Sequence, residues 1–430
     1  MLRSAQAERL PPPPAPDSEA GQQERDLLDA HGKKSARAES AIADWRGLAS
    51  VRWNEIARDL VAKHRTSHPQ ASRVYALMSV AQYDASVAAW NNKSFYRRPA
   101  PIRAARDSSS SLVVESQWIY PSGYAAVASA SASVLAYLFP DEQTFLHEKA
   151  DEAGLSRIWG GQCFASDVSA GEVLGRAVAG VVVQRASADG ADGADGAGAQ
   201  GDAKAPPVTE GEWVSAPNDT PLLPLWGSVK PFLMSSNSQF RAPPPPAAGS
   251  PAFQSALAEV RKISDSRTPE QARLAALWAD GAGSYSPAGH WNKIAADLIE
   301  DHGFDEARAA RVLALLNMAM MDASIACWDT KYHYGVIRPS QADSQITTPV
   351  GLPNFPSYVS GHAAFSGAAA AVLGRLFPAQ SAWLSAKAEE AATSRIYGGI
   401  HYRFDSEAGL AQGRAIAQLA IERAKSDGGP

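Results

Sequence analysis

The amino-acid sequence predicts an all-α protein, made of two related multi-helix bundles packed on each other, with a candidate site at one end of the second bundle. Apolar residues recur at helical spacing, as in Val312, Leu315, Leu316 and Met320, which is the pattern of a buried helix face. Residues 363–376 are rich in Ala and other small side chains, which predicts a helix that packs closely. The alternation of apolar and polar residues that indicates strands is scarce.

The second observation behind this architecture is an internal duplication. When the sequence is laid on itself with a shift of 238 residues, identical residues coincide without a gap. The coinciding pairs include Trp53 with Trp291, Lys93 with Lys331, Arg157 with Arg395, and Asp167 with Asp405. A repeat of this length predicts two structural units of the same kind.

These features divide the chain into four parts. Residues 1–40 contain a proline run and few core-forming side chains, so we expect a disordered leader. Residues 41–185 are the first helical repeat, and residues 251–430 are the second, which carries the site. Between them, the linker 186–250 begins with a flexible Gly/Ala/Asp-rich stretch and continues as an extended segment strapped over the body.

Composition limits the kind of molecule that could carry this site. At 430 residues and 45% hydrophobic content, the chain can bury a large core. Its net charge of -5 gives no reason to expect nucleic acid or an anionic membrane as a partner. We find no signal peptide and no apolar run of about 20 residues, so a soluble, cytoplasmic protein without a membrane span is the default expectation. Cys163 and Cys327 form no disulfide framework, and the oligomeric state stays open, with a homodimer as one option.

Three short segments near the C-terminus hold the residues of the candidate site: 331–339, 356–362 and 394–405. They contain one Lys, two functional Arg, a Ser-Gly pair and two His. Cations and free N–H groups bind a tetrahedral or trigonal oxyanion, and imidazoles supply acid–base or nucleophilic chemistry. Each segment alone has an ordinary structural explanation, but their conjunction in one order predicts an oxyanion site.

Local sequence indicates how the first two segments reach such a site. Pro339 forces Arg338 out of helical geometry, so a loop after Lys331 would let both cations point inward. Ser360 and Gly361 precede an Ala-rich stretch. The N–H groups and dipole at the start of such a helix favour an anion.

The third segment adds an arginine and a paired imidazole. His401 and Asp405 lie four residues apart, so the carboxylate would fix which ring nitrogen faces the ligand. Arg395 brings a planar, permanently charged fork that suits an oxyanion. His362, in the second segment, is the other imidazole.

The first repeat keeps the scaffold but lacks both imidazoles and one guanidinium. We therefore predict a structural partner with a degenerate site, while binding of something of its own remains an alternative. At the equivalent positions, Tyr124 replaces His362, Cys163 replaces His401, and Ala100 replaces Arg338.

The order Lys-x6-Arg-Pro, Ser-Gly-His and Ser-Arg-x5-His-x3-Asp resembles a known pattern. It is shared by vanadium-dependent haloperoxidases and acid phosphatases of the type 2 phosphatidate phosphatase superfamily. The resemblance covers most of the chain, including the duplicated helical bundle. Residues 401–405 look like the His-Trp-Arg-Phe-Asp of fungal-type chloroperoxidases, whereas Val359 stands where those enzymes often have Pro. This departure resembles a bacterial subgroup.

In the haloperoxidase branch, the resemblance implies vanadate as cofactor, with hydrogen peroxide and halide as substrates and an organic acceptor as a further option. The product would be a hypohalous-acid equivalent from bromide or chloride. His401 would be the axial ligand of vanadium, and His362 the acid–base residue for peroxide. Lys331 would also polarise the peroxide. The equatorial oxygens would be held by Lys331, Arg338, Ser360, Gly361 and Arg395.

Two other functions fit the same residues. In an acid phosphatase, the resemblance makes His401 the nucleophile that takes the phosphoryl group and His362 the acid that protonates the leaving alcohol. A non-catalytic vanadate- or phosphate-binding protein is the third option. It is disfavoured because a pure binder has no need for His362 beside the anion.

Three further residues have weaker support. Trp328 and Phe355 resemble the aromatic residues that border the halide space in fungal-type chloroperoxidases. Asp280 is expected to pair with Arg395, as a carboxylate does in relatives, or else to belong to a simple turn.

Overall fold

The computed structural model describes residues 8–30, 35–101, 117–194, 211–217 and 219–429. Within these ranges the regular structure is helical, and β-pairing is limited to isolated bridges. The all-α prediction is therefore confirmed. The helices of the first half are α1 Glu19–Ala30, α2 Ala36–Asp44, α3 Ala49–Lys63, α4 His68–Tyr96, α5 Gly123–Leu138, α6 Gln143–Trp159 and α7 Ala165–Ala186. Those of the second half are α8 Pro251–Asp265, α9 Pro269–Leu277, α10 Ser286–Asp301, α11 Glu306–Tyr334, α12 Pro339–Ala342, α13 Gly361–Leu376, α14 Ser381–Tyr397 and α15 Arg403–Ser426.

The two repeats pack on each other about a pseudo-twofold axis. Equivalent residues meet there: Asn54 Nδ2 donates to Asn292 Oδ1 at 2.7 Å, and Asn317 Nδ2 donates to Ser79 Oγ at 3.0 Å. Helix α4 packs against its counterpart α11, and both are buried along most of their length. Two related bundles packed on each other are thus confirmed.

The prediction of a disordered leader is wrong for the part of it that is described. Residues 19–30 form α1, and the proline run before it is held against α4. Leu10 N donates to Asn92 Oδ1 at 3.1 Å, and Arg9 Nη2 donates to Asn91 Oδ1 at 2.8 Å. Composition missed this because the segment is ordered by hydrogen bonds to a distant helix and not by a core of its own.

The leader in fact belongs to the first repeat. Ala242 N donates to Thr330 Oγ1 at 3.4 Å, and Arg241 Nε to Asp329 Oδ2 at 2.7 Å, which repeats the contacts of the leader on the second bundle. Both segments read Arg-x-Pro-Pro-Pro-Pro. Each repeat therefore begins at this motif, earlier than residues 41 and 251, and α1 and α2 correspond to α8 and α9.

Residues 219–240 of the linker run over the surface of the second repeat, and we call this segment the strap. The Asp322 carboxylate accepts hydrogen bonds from three consecutive main-chain N–H groups, those of Phe232, Leu233 and Met234, at 2.7 to 2.8 Å. Leu222 O accepts hydrogen bonds from the side chains of α11. We expected residues 186–207 to be flexible, but the described part of this stretch is ordered: the buried carboxylate of Asp189 accepts from Arg73 Nε at 2.8 Å. Residues 195–207 lie outside the described residues.

Among the described residues, one helix is long and apolar enough to cross a membrane. It is α11, and its most apolar window is wholly buried inside the protein. That burial is the pattern of a core helix.

Glycines let α15 approach the start of α13. A Cβ on Gly409 would lie 2.7 Å from Ser360 O, and a Cβ on Gly413 would overlap the carbonyl oxygen of Ala364. Real Cβ atoms do not approach backbone oxygens this closely, so only glycine allows this helix spacing. The spacing sets the position of Ser360, where the site begins.

We expect Gly413→Ala to destabilise the protein by about 1–3 kcal/mol, because the added methyl group overpacks a backbone contact. The matched control is Gly180→Ala in α7, where a Cβ would meet nothing within 4 Å. That change should leave stability equal or raise it slightly, because Ala is the better helix former. Urea unfolding of both variants measures the difference, and equal midpoints would contradict the packing argument.

Candidate oxyanion-binding active site

The three predicted segments are placed at helix ends of the second repeat. Lys331 lies in the last turn of α11, Arg338 precedes α12, and Ser360 caps α13. Arg395 lies in the last turn of α14, and His401 lies just before α15. These side chains are buried, and the fold directs them to one region.

The ammonium group of Lys331 is fixed by main-chain oxygens. Nζ donates to Pro356 O at 2.8 Å and to Ser357 O at 2.9 Å. An ammonium has three protons to donate. Among the described residues no acceptor takes the third, so one N–H of Lys331 is available to a ligand.

Arg338 is held in a similar way from behind. Nε donates to Phe355 O at 2.9 Å and Nη1 to Ile400 O at 2.8 Å. Nη2 is buried, and no atom of the described ranges is its hydrogen-bond partner. A buried guanidinium nitrogen without a partner costs stability unless a ligand satisfies it.

Arg395, in the last turn of α14, is also held by two of its three nitrogens. Nε donates to Ser394 Oγ at 3.1 Å and Nη2 to Ala275 O at 2.6 Å. Nη1 is the nitrogen for which the described residues offer no acceptor. Two arginines anchored by two nitrogens each thus leave their third nitrogen for an anion.

The start of α13 supplies two more donors. The Ser360 hydroxyl accepts from Ala363 N at 3.4 Å, which leaves its proton free to donate. Gly361 is the first residue of the helix, and its N–H has no intrahelical acceptor. Both donors lie at the positive end of the helix dipole.

His401 is oriented by a carboxylate. Its Nδ1 lies 2.8 Å from Asp405 Oδ2, which also accepts from Ser357 Oγ at 2.6 Å and from Tyr402 N at 3.1 Å. An ionised carboxylate only accepts, so Nδ1 carries the proton and Nε2 keeps a lone pair. Arg338 Nη1 donates to this lone pair at 3.2 Å, so Nε2 faces the guanidinium group whose Nη2 is unpaired among the described residues.

His362 approaches from the first turn of α13. Its Nε2 donates to Ala279 O at 3.3 Å, which leaves Nδ1 as the other ring nitrogen. Its ring meets the His68 ring edge-on, with centroids 5.4 Å apart. Burial first, then the charge of Arg395, lowers the pKa of His362 well below its usual value. The imidazole is therefore neutral in the absence of an anion.

The two predicted aromatic residues border the cations. Lys331 Nζ lies 4.9 Å from the centre of the Phe355 ring, and Arg338 Cζ lies 4.8 Å from it. Trp328 is 5.1 Å from Phe355, centroid to centroid, and its ring is 3.6 Å from the position of a Cβ on Gly361. They form an apolar wall beside the donors.

Asp280 does not form the predicted ion pair with Arg395. Its carboxylate lies 3.1 Å from His290 Nδ1, and its carbonyl oxygen accepts from His68 Nε2 at 3.0 Å. It lies in the loop between α9 and α10 with a positive φ of 43°. This backbone conformation turns the carboxylate toward His290, although its charge still favours the protonated form of Arg395.

In the first repeat the equivalent arginine has no nitrogen left for a ligand. Arg157 donates to Ser156 Oγ, to Gln162 Oε1 and to Trp45 O. The ring of Tyr124 lies 3.9 Å from its guanidinium carbon. Tyr124 stands where the second repeat has His362, and Gln162 where it has Ile400. These two side chains thus cover the guanidinium group of Arg157 or accept a hydrogen bond from it.

Two contributors were missed by sequence reasoning. His68 belongs to the first repeat and reaches the second through the packing of α4 against α11, which no local pattern shows. Ser357 lies within a predicted segment, and its hydroxyl binds Asp405 while its carbonyl holds Lys331. The sequence signal that could have revealed Ser357 was its position two residues after Phe355.

Electrostatics set the preference of the site. Burial lowers the pKa of Lys331 to about 7 and those of Arg338 and Arg395 to about 10. The same cause raises the pKa of Asp405 to about 6. The cations are desolvated with little anionic compensation, so an entering anion gains strongly. Among the described residues no group of three His, Cys, Asp or Glu side chains could hold a bare metal ion.

Comparison with known proteins places this arrangement in a family. A model of the PAP2 superfamily matches residues 73–190 and 311–425, which is more than half of the chain. The chain belongs to the PAP2 superfamily. The two matches fall one in each repeat, so this PAP2 protein contains the family domain twice. The resemblance predicted from the motifs is confirmed at this level.

Solved structures share the fold of this PAP2 protein. A bacterial vanadium-dependent iodoperoxidase matches with a TM-score of 0.69 and 24% identity, covering 90% of this chain and 95% of that chain. The holo form of a bacterial vanadium-dependent chloroperoxidase matches with a TM-score of 0.63 and 16% identity, covering 84% and 93%. Identities this low establish the common fold. No curated protein matches the sequence.

The carboxylate that orients His401 should matter for anion binding. We expect Asp405→Asn to weaken the binding of an oxyanion, with vanadate as the probe, by about 10- to 100-fold, because the tautomer and angle of the imidazole are no longer fixed. The control is Asp167→Asn at the equivalent position of the first repeat, which should bind as the wild type does. Calorimetric titration, with thermal unfolding of both variants, separates binding from stability. Equal losses in the two variants would refute the role of Asp405.

Anion affinity should also fall as the pH rises. The ammonium of Lys331 must be protonated to bind, and its pKa of about 7 in the free protein is raised when an anion arrives. Affinity is therefore full below about pH 7 and declines above it by up to about tenfold per pH unit. Titration with tungstate, whose charge is constant near neutrality, measures the profile. Lys331→Met should flatten it, whereas Lys93→Met should not. A wild-type affinity for tungstate that does not change with pH would rule out this role of Lys331.

Proposed function

We propose that this protein is a vanadate-dependent haloperoxidase, which oxidises bromide or chloride with hydrogen peroxide to a hypohalous-acid equivalent. The observation that carries the proposal is the set of donors left over when all internal hydrogen bonds are counted. Each of these donors belongs to a buried residue, and hydrogen bonds to other atoms of that residue hold it in place. The set comprises one N–H of Lys331, Nη2 of Arg338, Nη1 of Arg395, the Ser360 hydroxyl and the Gly361 N–H.

This donor set fits vanadate. Three cations and two neutral donors match the negative oxygens of such an anion. The lone pair of His401 Nε2, which accepts from Arg338 Nη1 when no anion is bound, lies on the same side of the site. A bare divalent cation would be repelled by Lys331, Arg338 and Arg395. When bound, vanadate supplies a Lewis acid that activates hydrogen peroxide without a change of vanadium oxidation state.

The residues of the chain then have separable tasks. Lys331, Arg338 and Arg395 hold the oxygens and stabilise negative charge that develops on them. His362 is neutral before anion binding, so its Nδ1 can take up a proton from hydrogen peroxide and return it later. The apolar wall of Trp328 and Phe355 keeps water away from the donors and offers a space for halide.

A phosphatase is the second candidate, and one observation favours it. His401 has its proton fixed on Nδ1 by Asp405, so Nε2 is a neutral nucleophile beside three cations. A phosphoryl-accepting histidine needs this state. The same donors would stabilise the phosphoryl oxygens, and His362 would protonate the leaving alcohol.

One preparation decides between these functions. Purified protein is divided into a vanadate-loaded portion assayed with bromide, chloride and iodide plus peroxide, and a vanadate-free portion assayed with p-nitrophenyl phosphate. We expect halide oxidation that is inhibited by phosphate and that falls by more than about 100-fold in His401→Ala. Cys163→Ala, at the equivalent position of the first repeat, should keep full activity.

Two outcomes would replace the proposal. Phosphate release that vanadate inhibits, without halide oxidation, would assign the phosphatase function. Tight vanadate binding with neither activity would indicate a binding protein, and halide oxidation that survives in His401→Ala would refute the assigned ligand.

A further inference from the structure

The strap fills a socket in the second repeat with an aromatic side chain. Trp226 is wholly buried, and its Nε1 donates to Ser324 Oγ at 2.9 Å. The strap also covers Trp328, whose Nε1 donates to Leu222 O at 3.2 Å and whose surface is 1% exposed. Ser324 and Trp328 lie on α11, the helix that also carries Lys331.

The equivalent place in the first repeat is open. Ser86 and Trp90 of α4 correspond to Ser324 and Trp328 by the internal repeat. Ser86 Oγ is buried and has no hydrogen-bond partner among the residues that the structure describes, and Trp90 is 56% exposed. Both residues line a cavity of about 140 Å³. No strap of described residues lies over this cavity.

The walls of the cavity are mainly apolar. Leu48, Ala89, Trp90 and Tyr124 supply apolar surface, and the side chain of Lys93 lines the same space. An ammonium group that borders a cavity attracts the face of an electron-rich aromatic ring. Apolar cavities of about this volume, near 150 Å³, bind benzene-sized molecules.

Acidic residues at the start of α11 exclude an anionic occupant. Asp305 and Glu306 also line the cavity. Glu306 accepts from the main-chain N–H groups of Ala49 and Ser50 at 2.6 and 2.9 Å, so its carboxylate is fixed there. The two carboxylates outweigh the one ammonium group of Lys93, so the charges that line the cavity repel an anion, and its apolar walls disfavour a charged occupant of either sign. The site therefore suits a neutral molecule.

We propose that this cavity is a binding site for a small neutral aromatic molecule that carries an N–H or O–H donor, of the indole or phenol class. The donor bonds Ser86 Oγ as the indole of Trp226 bonds Ser324, and the ring lies among Leu48, Ala89 and Trp90. This site is separate from the oxyanion site and does not depend on the reaction carried out there.

The test compares indole with indene, which has the same shape but no N–H. Calorimetry or ligand-observed NMR on the full-length protein should show both binding, with indole tighter by about fivefold, the value of one hydrogen bond. In Ser86→Ala, the affinity for indole should fall to that of indene, and the affinity for indene should stay unchanged.

A second variant guards against binding elsewhere. Ala89→Leu fills the cavity and should abolish binding of both compounds, whereas His401→Ala should leave it unchanged. Circular dichroism confirms that each variant is folded. Failure of indole to bind at its solubility limit, or equal binding in the wild type, Ser86→Ala and Ala89→Leu, would overturn the proposal.

Discussion

The structure depends on the burial of three cations that are held from behind by main-chain carbonyl oxygens. Lys331, Arg338 and Arg395 each use part of their donor capacity on backbone groups, and each keeps one donor directed elsewhere. Burying such charges without full compensation costs free energy. The rigid helix ends that hold them, and the glycine contacts that fix the start of α13, offset that cost. The result is a pocket already organised for an anion before the anion arrives.

The duplication shows which features are scaffold and which are chemistry. Both repeats keep the helix bounds, the serine cap and the buried arginine, so these belong to the fold. The two arginines differ in how many nitrogens are bonded: all three of Arg157 have partners in its own repeat, whereas among the described residues Nη1 of Arg395 has none. A small change in neighbouring side chains therefore decides whether this arginine keeps a donor for a ligand or uses all of its donors within its own repeat. Conversely, the strap fills a socket in the second repeat that the first leaves open.

The two repeats also depend on each other. His68, from the first repeat, packs edge-on against His362 and is itself held by Asp280 O. Its counterpart in the second repeat, Glu306, binds the start of α3 in the first. The surroundings of His362 are thus completed from across the pseudo-twofold axis, which makes the first repeat a packing partner of the second.

The sequence by itself determined the helical class and the duplication, and it predicted the residues of the oxyanion site, because helical periodicity, repetition and motif spacing can all be read from the chain alone. Only the tertiary structure decided the order of the leader, the partner of Asp280 and the part played by His68. Each of these rests on hydrogen bonds or ring contacts between residues far apart in the chain, and such contacts leave no mark on composition. The leader came closest to being predictable, since its Arg-x-Pro-Pro-Pro-Pro motif recurs before the second repeat. Whether that motif is ordered, however, is settled by the side chains of α4 and α11 on which it docks.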